Sequence, residues 1–203
     1  TNINENEKAL KQHLGTSEDV MFTKFTIKLQ SDDTLNAMLV SIDGLVDEEA
    51  KRNNVLKPLI ENSLLEKPNE DLKQIQQLLS TKENIVEDNL INAVFQILKA
   101  QALLIVDGFN KGLLISIEGF EIRSIEEPQT EQTVRGSREG FIESTGVNTS
   151  LLRRRIAHPS LRFETMEIGE ISQTGVTIAY LKDIVDLDLV ERVKERLDEI
   201  KVD

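Results

Sequence analysis

Cysteine is absent from this 203-residue sequence, which excludes disulfides and thiolate metal sites and fits a reducing compartment. Tryptophan is absent too, and there is a single tyrosine, so stacking of nucleobases on aromatic side chains has little to work with. Histidine is scarce: His13 and His158 stand far apart with no nucleophile pattern nearby, and both read as solvated or capping residues. Positive charge is in short supply, with 24 Lys and Arg against 36 Asp and Glu for a net charge of −12, which argues against nucleic acid as a general partner. No apolar run approaches the roughly 18–20 residues needed to cross a bilayer. The N-terminal TNINENEKAL lacks the basic-then-apolar pattern of a signal peptide. Neither G-x-G-x-x-G nor G-x-x-x-x-G-K-[ST] occurs. In Gly136–Gly140 the serine falls one place early for a nucleophile elbow.

What is present has the periodicity of an α/β protein. Residues 4–14 read as a short helix stopping at Gly15, and residues 20–29 as a strand alternating from Phe22 onward. The continuous apolar run 37–42 suits a buried strand of the parallel type, ending in Asp43–Gly44. Acidic Asp47–Glu49 opens a helix, and Pro58 is expected to open a second one over 58–65. Asn69–Asp71 caps a helix carrying Leu72, Ile75, Leu78 and Leu79 on one face. Asp88 or Asn89 starts another, with Leu90, Ile91, Val94, Phe95 and Leu98 facing inward. A second apolar strand, 102–106, ends in Asp107–Gly108 and returns through a turn as 113–117. After a long aperiodic stretch come a short helix from Asn148, strands at 161–168 and 174–181, and a last helix with Leu189, Val190, Val193, Leu197 and Ile200 inward. The expectation is two α/β subdomains, 1–124 and 125–203, each a small mixed sheet flanked by helices. Opening at Thr1 without methionine and stopping in charge at Lys201–Asp203, the chain is expected to be a soluble piece of something longer.

Two sets of residues invite a functional reading. Asp43 and Asp107 both follow an apolar strand, where open α/β sheets bind ligands. They read either as plain Asp–Gly turns or as a pair holding magnesium for phosphoryl chemistry. The second set lies in the junction 126–156. Arg135, Arg138, Arg153, Arg154, Arg155 and Arg162 fall within 28 residues whose local charge is +4, in a chain acidic elsewhere. Arginine offers a planar fork for carboxylate or phosphate, and Gly136 and Gly140 let backbone amides come close to an anion. One reading pairs these arginines internally with Glu126, Glu127, Glu131, Glu139 and Glu143. Others turn them toward another subunit, an anionic membrane surface or a small anionic ligand. Arg153–Arg155 occupy consecutive helical positions and cannot all serve one ligand. No cofactor and no metal is expected.

The stretch EEPQTEQTVRGSREGFIESTGVNTSLLRRRI closely resembles the GerA family, the A subunits of bacterial spore germinant receptors. The resemblance is carried by Glu127–Pro128, Glu131, Arg135–Gly136, Arg138–Phe141, Glu143, Asn148 and Leu151–Ile156. It extends to Ile42–Asp47, Val55–Leu59 and Val106–Gly108 upstream, and to Gly169, Thr177, Tyr180 and Arg196–Ile200 downstream. Ser137 stands where the family usually has proline, and Val147 where threonine is common. The resemblance implies a non-enzymatic N-terminal soluble domain of a subunit that assembles with B and C subunits in the spore inner membrane, with the domain on the cytoplasmic, spore-core side. It implies a role in receptor assembly and signal transmission during germination. The alternative is direct binding of a small germinant, an amino acid or sugar, in a cleft between the subdomains near Asp43, Asp107 and the arginine loop.

Overall fold

A computed structural model describes residues 2–31, 33–61, 72–119 and 140–200. Helix α1 (Ile3–Leu14) leads into strands β1 (Val20–Lys28) and β2 (Thr34–Ile42). A helical segment follows: α2 (Glu48–Ala50), a π-helical turn over Lys51–Leu56, and α3 (Lys57–Glu61). Then come α4 (Lys73–Leu78), β3 (Asn84–Glu87), α5 (Leu90–Leu98), β4 (Gln101–Val106) and β5 (Gly112–Ser116). The C-terminal part holds α6 (Thr145–Arg155), β6 (Leu161–Ile168), β7 (Thr174–Leu181) and α7 (Leu187–Asp198). Strands β1–β5 form a five-stranded sheet in the order β1-β2-β4-β5-β3, and β6-β7 form a separate two-stranded sheet. The α/β class therefore holds.

The parallel pairing expected of the apolar runs does not. Every pairing in both sheets is antiparallel, including β2 with β4. The reason is visible in the core. On one face Ala37, Leu39, Leu104 and Val106 pack with Val55, Leu59 and Ile75 of the α2–α4 region. On the other, Met38, Val40, Ile42, Leu103 and Ile105 pack with Leu10 and Leu14 of α1 and with Val94 and Ile97 of α5. A continuous apolar run reports that both faces of a strand are covered; it says nothing of strand direction.

Pro58 does not open a new helix. It sits inside the helical segment, just past the π-helical turn, where Lys57 N–H bonds Arg52 C=O five residues back. In α register Pro58 would leave the Asn54 carbonyl without its donor and crowd it. Here that carbonyl accepts from Ser80 N–H at 3.0 Å, and the widened turn keeps Val55 and Leu59 fully buried. On α5 the buried side chains are Ala93, Val94, Ile97 and Leu98, whereas Ile91 and Phe95, expected inward, are exposed. On α7 only Val190 is buried, and Leu189 and Val193 are exposed.

Candidate functional site

The junction helix α6 begins where Ser144 accepts a hydrogen bond from Val147 N–H at 3.4 Å, an N-cap of the ordinary kind. Asn148, one turn in, ties down the incoming chain. Its amide oxygen accepts from Ile142 N–H at 2.8 Å, and its amide nitrogen donates to Ile142 C=O at 2.7 Å. The helix lies close to the turn after β2 at Gly44. A Cβ there would come within 2.8 Å of the Ser150 Cβ, and Gly44 has φ +73°. Glycine is required twice over at that point, by backbone and by space.

At the far end of α6, Arg153 is 1% exposed. Its Nε donates to Asp19 Oδ2 at 2.7 Å and one terminal nitrogen to Asp19 Oδ1 at 3.0 Å, the bidentate fork of a guanidinium on a carboxylate. The same nitrogen also reaches Ser17 Oγ and the Leu161 carbonyl, and the other terminal nitrogen donates to the His158 carbonyl at 3.1 Å. The ring of Phe163 lies 5.1 Å from the guanidinium. Ser17 Oγ donates to Asp19 Oδ1 at 2.6 Å and accepts from Phe163 N–H at 3.0 Å. Glu18 completes the junction, its N–H bonding Phe163 C=O and its carboxylate accepting from Thr165 N–H. The loop before β1 thus joins the edge of β6, and the buried ion pair locks α6 over that joint.

Arg162 is a second buried cation beside the first. Burial, and then the charge of Arg153, push its guanidinium below the usual arginine value. It donates to the carbonyls of Pro159 and Leu161. Its head lies against Gly15, at φ +72°, where any Cβ would collide with it.

Beside the joint lies a cavity of about 290 Å³ next to β6–β7, lined by Glu18, Asp19, Asp43, Thr149, Phe163 and Thr177 among others. Asp43 is exposed at its rim. Asp107 is elsewhere. Because β2 and β4 run antiparallel, with Ala37 opposite Val106, the strand ends carrying Asp43 and Asp107 lie at opposite ends of the sheet. Six strand residues separate them, about 20 Å. Both oxygens of Asp107 are engaged, one accepting from Ile3 N–H at the start of α1 and the other from the Asn36 amide. The two aspartates therefore do not form one metal site. Among the described residues no group of three or more His, Cys, Asp or Glu could hold a metal ion.

Of the arginine set, the structure brings Arg153 to the joint, while Arg154 is half-buried and Arg155 exposed. The partner of Arg153 is Asp19 rather than a glutamate of the junction. Arg135, Gly136 and Arg138, with Glu126, Glu127, Glu131 and Glu139, lie outside the described residues. Sequence reasoning missed Ser17, Glu18 and Asp19. The only signal was a short polar run between Gly15 and a strand, and nothing in its spacing points 134 residues along the chain.

Comparison with known proteins gives a consistent result. The family model described as Bacillus/Clostridium GerA spore germination protein matches residues 8–203. Stage V sporulation protein AF of Bacillus subtilis is 35% identical over 201 residues, covering 98% of this chain and 40% of that protein. Spore germination protein KA of the same organism is 30% identical over 193 residues, covering 95% of this chain and 35% of the relative. The chain thus spans well under half the length of these relatives. The crystal structure of the N-terminal domain of the A subunit of the Bacillus megaterium spore germinant receptor GerK3 superposes with a TM-score of 0.74 at 26% identity, covering 98% of this chain and 72% of that one.

Proposed function

The chain belongs to the GerA spore germination family, and from that premise we propose that it serves in receptor assembly and in passing the germinant signal to the membrane part of its subunit. The observation that carries this reading is the Arg153–Asp19 joint, which fastens the arginine-rich helix of the second subdomain to the first. A rigid fastening of this kind lets a displacement of one subdomain move the other as a body, which a flexible linker would absorb. B and C subunits are the partners in this reading, and the domain lies on the spore-core side. No helix among the described residues is long and apolar enough to cross a membrane. The arginines of the junction, Arg135, Arg138, Arg154 and Arg155, are the proposed contacts to a partner subunit or an anionic membrane surface. Charge reversal at those four positions, with receptor abundance and germination measured in the same spores, tests the reading. Loss of either property supports it, and unchanged assembly with unchanged germination refutes it.

The cavity beside the joint favours a second reading, direct binding of a small germinant. Its hydroxyl and carboxylate lining suits a ligand rich in hydrogen-bond donors. Calorimetry of the domain with amino acids and sugars decides between the two. Saturable binding abolished by Thr149→Val would establish the second reading.

A further inference from the structure

We draw no further inference here: the strongest candidate, the exposed apolar ridge that Ile91 and Phe95 form one turn apart on α5, carries nothing because nothing in the structure shows what covers it.

Discussion

The guanidinium of Arg153 and the carboxylate of Asp19 meet in a bidentate pair at 2.7 and 3.0 Å, 134 positions apart in sequence and both buried. A buried pair is not by itself a strong source of stability, because desolvating two charges costs about as much as their attraction returns. Removing one partner is another matter. Asp19→Asn or Arg153→Met leaves a buried charge without its counter-charge, and either is expected to cost about 3–5 kcal/mol in chemical denaturation. Arg153→Lys is expected to fall in the same direction, since an ammonium cannot reach Asp19, His158 and Leu161 at once. A double-mutant cycle with Asp19→Asn and Arg153→Met should show strong coupling. Additive single effects would mean that the pair is not a unit.

Gly44 makes a sharper prediction about the approach of α6 to the turn after β2. With φ +73° and the Ser150 Cβ 2.8 Å from where its own would stand, Gly44→Ala carries a backbone cost of about 1–2 kcal/mol and a steric cost in addition. Ser150→Gly in the same chain should relieve only the steric part. A melting temperature for Gly44→Ala equal to that of the parent would contradict the close packing described.

Asp107 is expected to behave as a capping residue. Asp107→Ala frees the Ile3 N–H and the Asn36 amide and should destabilise α1 by about 0.5–2 kcal/mol, seen as faster exchange along residues 3–8. Magnesium should leave the melting temperature unchanged, with or without the substitution. A magnesium-dependent rise lost in Asp107→Ala would restore the two-aspartate site.

The anchor of α7 depends on pH in a defined direction. Lys194, and then the Tyr180 hydroxyl, hold the Glu164 carboxyl below its ordinary value of 4.5. A carboxyl depressed in the folded state adds stability that is present above the unfolded value and is lost as pH falls through the folded one. The α7 anchor should therefore weaken below about pH 4.5, and Glu164→Gln should flatten that part of the stability curve. Lys194 is raised by Glu164 and then Glu191, so its contribution is complete at neutral pH and fades only in strong alkali. Partial exposure of both groups keeps the effect small.

Much of the fold is legible in the sequence because it follows from local periodicity. Strands at 37–42, 102–106, 161–168 and 174–181 announce themselves in β-branched and apolar runs. Strand direction did not, because Leu39 and Leu103 look alike whether their neighbours run parallel or antiparallel. Strand β3, four residues at an edge with Ile85 and Val86 half in solvent, has too little burial to leave a pattern. Pro58 misled because its helix-breaking effect was offset by a widened turn and by Ser80, far along the chain. The candidate site divides in the same way. Arg153 is conspicuous as one of an arginine run, and its asymmetry with Arg154 and Arg155 comes only from packing. Asp19 is invisible without tertiary structure, being one acid among 36 acidic residues.

The proposal that the signal passes through the Arg153–Asp19 joint is tested most directly by germination of spores whose receptor bears Arg153→Lys, with receptor abundance determined in the same spores. The account predicts a germination rate, normalised to receptor abundance, reduced several-fold beyond any fall in abundance that the lost stability brings. A normalised rate equal to that of the parent would contradict it.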